Sequence, residues 1–304
     1  AIALKPDFVD AHSNLGNTLR DLGRLEEAEA SFRQAVSLKP GYANAHSNLG
    51  NTLQELGRSK DAEASYRKAI ALKPGYAEAR YNLGMLLSET KQYEKAAEQF
   101  KLSTLGKSKY YLLRCLYLQD EKSLFFDQLD YFINQGEIHP MIGSLGCRSA
   151  LRYGIERPNL FCKDPLKYVL KTNLNNQYDF EKIFVKTART ILNENRIPDK
   201  RQNLLTNGRQ TSGNLFDSER DFTEEIQKNI RSEIEKYQVH FKDSEEGFIT
   251  GWPTDYSLYG WLVSMKSGGK LRPHMHESGW ISGSIYISVP SKLKAESGNL
   301  VVCI

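Results

Sequence analysis

The sequence predicts an α+β multidomain protein with an N-terminal α-solenoid, a helical connector and a β-rich C-terminal domain. Three observations lead to this prediction. The first hundred residues repeat with a period of 34, and the next stretch stays helical in pattern without that period. All three tryptophans lie in a C-terminal segment with alternating polarity and Gly-rich turns. We expect the three domains at residues 1–107, 108–157 and 158–304.

Composition narrows the class of protein. The 304 residues suffice for about two domains with ordinary cores. The 41 Lys and Arg against 37 Asp and Glu leave a small, evenly spread charge of +4, which argues against nucleic acid as a partner. No apolar run approaches the roughly 18 residues of a membrane span. Cys115, Cys147, Cys162 and Cys303 form no CxxC pair, which indicates free thiols and a cytoplasmic location.

The N-terminal repeat is carried by apolar and small residues spaced 34 positions apart. They are Leu15, Leu49 and Leu83; Gly16, Gly50 and Gly84; Ala28, Ala62 and Ala96; Phe32, Tyr66 and Phe100; and Pro6, Pro40 and Pro74. This pattern resembles the tetratricopeptide repeat, in which each unit is a pair of helices. We therefore expect helix pairs from about residue 7 to 105, with the three leucines buried between helices.

Glycines and prolines predict the turns and helix ends of the repeats. Gly23 and Gly57 suit the turn inside a helix pair, and Pro40 and Pro74 end the second helix of the first and second pairs. Lys91 replaces the turn glycine in the third repeat, as is typical of the end of a solenoid. Residues 1–6 align with 35–40 and 69–74, so we expect the chain to be a fragment that further repeats precede.

The middle of the chain reads as helices with one polar loop. Residues 108–157 predict two or three connecting helices, and residues 179–194 and 221–241 predict two amphipathic ones. Between the latter pair, residues 204–216 are dense in turn formers and predict a loop. Its Gln210, Thr211 and Ser212 either line a site or only cap and tie the loop.

The C-terminal segment predicts strands at residues 256–265, 271–276 and 281–289, joined by turns at 266–269 and 277–279. In a strand, His274 and His276 point to the same face, because successive side chains alternate sides. Two imidazoles on the same face of a strand can coordinate one metal ion. The alternative is a surface histidine pair at a strand end.

The run around these histidines resembles the metal-binding strands of 2-oxoglutarate/iron(II) oxygenases, which read His-x-His, then Trp-x-Ser-Gly, then a Tyr-containing strand. The resemblance implies a partial double-stranded β-helix (jelly-roll), with His274 and His276 as metal ligands, iron(II) as the metal and 2-oxoglutarate as cosubstrate. It also implies that Tyr286 bonds a carboxylate of 2-oxoglutarate, unless Tyr286 only packs at the rim. Arg272 either binds a carboxylate of the same cosubstrate or is a solvated residue at the end of a strand.

The usual family motif has a carboxylate where this chain has His276. Glu277 is adjacent, but in a regular strand it faces away from His274 and would coordinate only through a bulge. The resemblance places the third ligand downstream of both histidines, and no His follows His276, so we expect this fragment to be inactive. His240 is a minor alternative.

A column of asparagines recurs one position before each repeat leucine, at Asn14, Asn48 and Asn82. This column resembles the asparagine column of tetratricopeptide arrays like that of protein O-GlcNAc transferase. In those arrays the asparagines line the concave groove and hydrogen-bond a peptide backbone. An amide donates and accepts at once, which suits an extended chain. The alternative is a solvated helix face.

Three functions compete on these grounds. The first is an oxygenase that hydroxylates a protein or peptide recruited by the repeats, with no nucleic acid or membrane as partner. The second is a non-catalytic peptide-binding scaffold with a degenerate jelly-roll, and the third is a cupin-like metal sensor.

Overall fold

The structure is a computed structural model, and it describes residues 6–194, 196–197, 199–200, 205–271 and 279–287. The chain divides into two compact units, Ala1–Phe132 and Ile133–Ile304. This boundary falls inside residues 108–157, so the connector as a separate domain stays a prediction.

The first unit is built from helix pairs that repeat as the sequence predicts. Its first helices begin 34 residues apart and its second helices pack against them. The three pairs are α1 (Val9–Asp21) with α2 (Leu25–Leu38), α3 (Ala43–Glu55) with α4 (Ser59–Leu72), and α5 (Ala77–Glu89) with α6 (Tyr93–Leu102). The predicted solenoid of helix pairs is therefore confirmed for this part of the chain.

A glycine against an aromatic ring closes each helix pair. A Cβ atom on Gly50 would lie 2.6 Å from Cε1 of Tyr66, and one on Gly16 or Gly84 would lie 2.8 Å from the ring of Phe32 or Phe100. Such distances are too short for non-bonded carbon atoms. The first helix of each pair can therefore approach the second only because the residue at this position has no side chain.

The expectation for the repeat leucines is wrong at one position. Leu49 and Leu83 are 5% and 1% exposed, but Leu15 is 40% exposed. Leu49 and Leu83 lie on α3 and α5, which pack on the preceding helices α2 and α4. Leu15 lies on the first described helix, and among the described residues no preceding pair covers it.

The turns inside the pairs need a left-handed residue. Gly23 and Gly57 adopt φ values of 73° and 76°, and Lys91 takes up the same conformation with φ 62°. A left-handed conformation costs an L-residue roughly 1–2 kcal/mol more than it costs glycine. The third repeat therefore keeps the turn geometry despite losing the turn glycine.

Three helices follow the repeats, within the predicted range of two or three. They are α7 (Ser108–Gln119), α8 (Lys122–Asn134) and α9 (Pro140–Tyr153). In the first unit, α7 packs on α6, and the rings of Phe100 and Tyr111 stack with centroids 5.5 Å apart. In the second unit, α9 begins at Pro140 under a cap in which His139 Nδ1 accepts from the Met141 amide.

The second unit combines short helices with a small sheet. Its further helical elements are the 3₁₀ turns Pro165–Tyr168 and Leu174–Asn176, a π-helical segment Glu181–Lys186 that continues as α10 (Thr187–Asn193), and α11 (Leu215–Ser218), α12 (Arg220–His240) and α13 (Gly247–Thr250). The two amphipathic helices predicted near residues 179–194 and 221–241 are present. Their apolar sides meet in a core that includes Phe184, Phe216 and Ile226.

The sheet has three antiparallel strands in the order β1 (Asp199–Lys200), β2 (Leu205–Thr211) and β3 (Val263–Leu271). The predicted loop at 204–216 is therefore wrong in its first half, which forms β2. Polar residues hid this strand, because β2 is mostly exposed and is held by backbone pairing rather than by apolar side chains. The predicted turn at 266–269 is also wrong, since it lies inside β3 as a bulge opposite Asn207.

Two predicted strands differ from the structure. Residues 256–262 precede β3 and form no strand. The amides of Gly260 and Leu262 donate to Asn214 Oδ1 and Thr211 Oγ1, and their carbonyls accept from the amides of Leu215 and Thr211. Residues 281–287 form no strand, and 282–286 are exposed on both faces because no described strand pairs with them. Residues 272–276 of the predicted middle strand, the turn at 277–278 and residues 288–289 lie outside the described residues. The described sheet is thus smaller than a jelly-roll.

Among the described residues, no helix combines the length and the apolar character that crossing a bilayer requires.

The glycine contact gives a direct stability prediction. We expect Gly50→Leu to lower the free energy of unfolding by about 1–3 kcal/mol, because the added side chain must displace the Tyr66 ring. Urea denaturation followed by circular dichroism measures the change. Gly41→Leu is the matched control: its Cβ would meet nothing within 4 Å, so the change should stay within about 0.5 kcal/mol. Equal effects of both substitutions would contradict the account.

Candidate functional site

The first helices of the three pairs form one surface, which we call the A-helix face and define by α1, α3 and α5. Asn14 is exposed on it, and Asn48 and Asn82 are half-buried. The structure therefore places the three predicted asparagines at equivalent positions of three adjacent helices. Asn48 and Asn82 are more buried than Asn14 because α3 and α5 each pack against the second helix of the preceding pair.

A hydrogen-bond network fixes part of this face. Asn82 Nδ2 donates to Asn51 Oδ1 at 2.9 Å, and the Tyr66 hydroxyl donates to the same oxygen at 2.7 Å. One amide proton of Asn82 is therefore used inside the protein, while an amide carries a second donor proton and an acceptor oxygen. Asn51 was not among the predicted site residues, although Asn17 and Asn51 repeat with the same 34-residue period.

A second periodic column on the A-helix face is acidic and was also missed. Asp21, Glu55 and Glu89 end α1, α3 and α5 and are spaced 34 residues apart. Glu89 Oε2 accepts from Gln54 Nε2 at 2.9 Å, which joins two adjacent repeats. Burial raises the pKa of Tyr66 above its ordinary value of 10.0, and the negative charges of Glu89 and Glu55 raise it further. The ends of these helices thus carry a concentrated negative charge.

The residues of the predicted metal site follow β3 in the sequence and lie outside the described residues. β3 pairs with β2 as far as Leu271, which lies opposite Leu205. Arg272, His274, His276 and Glu277 follow directly and lie outside the described residues. The structure therefore fixes the strand that leads to the histidine pair and leaves its ligand geometry a prediction.

The described residues downstream of the histidines are anchored at Trp280. Its Nε1 donates to the Phe248 carbonyl at 2.8 Å, and its ring contacts Phe161 edge-on with centroids 5.3 Å apart. Tyr286 is 56% exposed in this segment. Both roles that the sequence left open for Tyr286, bonding the cosubstrate and packing at the rim, stay predictions.

No alternative metal centre stands out in the part of the chain that the structure describes. Its His, Cys, Asp and Glu side chains form no group of three that could hold a metal ion. His240 is exposed at the end of α12, with its ring edge-on to Phe241 at 4.6 Å. The predicted donor set stays the His274 and His276 pair, since imidazole nitrogens are ligands that iron accepts.

Polar residues at the end of β2 and just before α11 bond the segment that precedes β3. Gln210 and Thr211 are buried, Thr211 Oγ1 accepts from the Leu262 amide at 3.0 Å, and the Thr211 amide donates to the Leu262 carbonyl. Asn214 Oδ1 caps α11 and also accepts from the Gly260 amide. These contacts favour the tying role for Thr211, and the roles of Gln210 and Ser212 stay predictions.

The described cysteines Cys115, Cys147 and Cys162 are free thiols. Burial raises the pKa of Cys162 from 9.0 to about 11, and the nearby Glu246 carboxylate adds to the rise. Cys147 Sγ accepts from Asn159 Nδ2 at 3.2 Å and is half-buried. Cys162 is therefore a poor nucleophile at neutral pH.

Comparison with known families supports both halves of the predicted architecture. Two family models described as tetratricopeptide repeat match residues 7–74 and 47–105. A family model described as "Putative 2OG-Fe(II) oxygenase" matches residues 259–301, a short segment that contains Arg272, His274, His276 and Tyr286. No curated protein matches the chain.

Three similar solved structures each match about half of this chain. The chain is 21% identical to YrrB, whose crystal structure is titled a TPR protein with an unusual peptide-binding site; the match covers 50% of this chain and 81% of YrrB, with a TM-score of 0.44. A structure of MamA protein is 21% identical, with 52% and 82% of the two chains covered and a TM-score of 0.39. A second MamA structure is 22% identical, with 49% and 85% covered and a TM-score of 0.40.

The cysteine environments predict unequal reactivity. We expect iodoacetamide at pH 8 to alkylate Cys162 about a hundredfold more slowly than an ordinary thiol, because a rise from 9.0 to about 11 lowers its thiolate fraction by that factor. Mass spectrometry of timed digests measures the rate. In urea, Cys162 should react as fast as Cys147, which controls for peptide recovery. Rapid labelling of Cys162 in the native protein would contradict its buried environment.

Proposed function

From a chain that joins tetratricopeptide repeats to a segment matching 2-oxoglutarate/iron(II) oxygenases, we propose an iron(II)/2-oxoglutarate-dependent hydroxylase that acts on a protein or peptide captured by the repeats. The observation that carries this proposal is one family match over residues 259–301, which includes β3 and the histidine pair that follows β3 in the sequence. We place the protein in the cytoplasm because its described cysteines are free thiols.

The peptide-binding half of the proposal rests on the A-helix face. Asn14, Asn48 and Asn82 present the same amide group from three helices that are locked to their partners by the glycine contacts. An extended main chain offers one donor and one acceptor per residue. A side-chain amide can donate one hydrogen bond and accept another. It can therefore pair with such a main chain whatever side chains the peptide carries.

The metal-binding half rests on the donor set. His274 and His276 supply two neutral imidazoles, and Arg272 and Tyr286 supply a cation and a hydroxyl for the carboxylates of 2-oxoglutarate. When bound, iron(II) with 2-oxoglutarate would supply the oxidising chemistry of hydroxylation. The chain's own part is to hold the metal from one strand face and to orient the cosubstrate by charge and hydrogen bonding. A ligand set without a carboxylate should bind iron(II) more weakly than the set of two histidines and one carboxylate that is usual in this family.

A second candidate is a non-catalytic peptide-binding scaffold with a degenerate C-terminal domain. The observation that favours it is the size of the described sheet, which has three strands, with residues 281–287 exposed outside it. Iron binding distinguishes the two candidates, because the scaffold has no need of a metal.

The hydroxylase proposal predicts a weak iron(II) site that depends on the histidine pair. We expect anaerobic iron(II) titration, followed by calorimetry, to show at least about tenfold weaker binding in the double variant His274→Ala, His276→Ala. His240→Ala is the matched control and should leave the affinity unchanged, since His240 lies exposed at the end of α12. The same affinity for the wild type and the double variant would contradict the proposal and favour the scaffold.

Peptide capture predicts a loss of binding without a loss of fold. We expect Asn14→Ala with Asn48→Ala to weaken binding of an extended peptide at least about tenfold, since each lost amide removes hydrogen bonds worth about 0.5–1.5 kcal/mol. Fluorescence anisotropy measures the affinity, and thermal melting should be nearly unchanged because neither side chain is fully buried. Asn82→Ala is kept separate, because Asn82 also bonds Asn51.

The control for this pair of substitutions is Gln34→Ala, which removes an exposed amide from the second helix α2. It should leave peptide affinity unchanged. If the control and the asparagine variant bind alike, the asparagine column is only a solvated helix face.

A further inference from the structure

We propose that the segment captured on the A-helix face is basic: an extended peptide whose Lys or Arg side chains meet the column of carboxylates formed by Asp21, Glu55 and Glu89. This inference rests on the proposed peptide capture and adds the chemical class of the partner. Its grounds are the position of the carboxylates, the charge of the face, and a cation that the face already holds.

The carboxylates share a helix stripe with the asparagines. Asp21, Glu55 and Glu89 each lie seven residues beyond an asparagine of the column, on α1, α3 and α5 respectively. Seven residues are close to two turns of helix, so both groups project from the same side. A peptide whose main chain meets the asparagines therefore runs alongside the carboxylates.

The carboxylates of neighbouring repeats are close together and accessible. The side chains of Asp21 and Glu55 are 72% and 51% exposed, and Glu89 is exposed. Arg20 lies between the first two, 3.7 Å from Asp21 and 4.0 Å from Glu55, and Gln54 links α3 to Glu89. All three carboxylates are therefore accessible to a cation from a partner.

The A-helix face is acidic although the chain as a whole carries a charge of +4. Its three helices contain five carboxylates and two guanidinium groups, namely Asp10, Asp21, Glu55, Glu78 and Glu89 against Arg20 and Arg80. Arg80 is engaged elsewhere, donating to the Pro74 carbonyl and to Gln99 Oε1. Charge complementarity therefore favours a cationic partner and opposes an acidic one.

A lysine already occupies one end of this face. Tyr81 precedes Asn82 on α5, where the first two repeats carry Ser13 and Ser47. The ammonium group of Lys107 lies 4.1 Å from the centroid of the Tyr81 ring, which Phe100 and Tyr111 contact in turn. An ammonium over an aromatic ring is a cation–π contact. In the third repeat, a residue next to the asparagine column thus already contacts a lysine of the same chain.

The test compares three fluorescent peptides of equal length that differ only in carrying Lys, Gln or Glu at the same positions. Fluorescence anisotropy is measured at low and at physiological salt. We expect the Lys peptide to bind tightest and the Glu peptide weakest, and salt to weaken the Lys peptide most, because exposed charges are screened.

The variant Asp21→Asn, Glu55→Gln, Glu89→Gln should weaken the Lys peptide about tenfold, to the level of the Gln peptide, since it removes three exposed charge contacts. The matched control is Glu26→Gln, Glu94→Gln, Glu98→Gln, which removes three exposed carboxylates from α2 and α6 and should change nothing. Asp21→Asn alone serves as a second variant, because its exposed position at the end of α1 makes misfolding no concern.

The outcomes separate this inference from the proposed capture. Equal binding of the Lys and Gln peptides, or tighter binding of the Glu peptide, overturns the basic partner. Capture still stands in that case if Asn14→Ala with Asn48→Ala weakens peptide binding at least about tenfold. Loss of Lys-peptide affinity in the α2 and α6 control variant also overturns it. Binding of none of the three peptides overturns both.

Discussion

The contact of a glycine with an aromatic ring inside each helix pair is the constraint on which the repeats depend. At Gly16, Gly50 and Gly84 a single added carbon would lie within 2.6–2.8 Å of the ring opposite. This contact fixes how closely the first helix of each pair approaches the second. Because it recurs every 34 residues, it sets the same orientation for α1, α3 and α5 and aligns whatever side chains they expose.

Alignment of equivalent helices turns single residues into columns. The asparagines and the carboxylates lie seven residues apart on each first helix, so two parallel columns follow from one helical period and one repeat period. The amides suit any extended main chain, while the carboxylates select its charge. Recognition of this kind depends on the backbone and the net charge of the partner rather than on a strict sequence.

The sequence predicts well what is fixed by local periodicity. The helix pairs, the glycine turns and α12 follow from spacings of a few residues to 34 residues. The sheet does not, because its bonds join distant residues: Thr211 holds Leu262 across 51 positions, and β2 carries polar residues that predict a loop. The exposed Leu15 shows the same limit, since burial depends on a neighbouring helix as well as on the residue. Of the proposed sites, the asparagines are described, and the histidine pair stays a prediction.

The central claim is that a metal ion binds at His274 and His276, and paramagnetic broadening of methyl signals by Mn²⁺, used in place of iron(II), tests it most directly. Leu271 lies three residues before His274 and Ile281 five after His276, so both lie within about 18 Å of the pair at no more than about 3.6 Å per residue. The account predicts that substoichiometric Mn²⁺ broadens the methyl signals of both residues and that Mg²⁺ does not. Sharp signals from Leu271 and Ile281 while Mn²⁺ is bound elsewhere would contradict it.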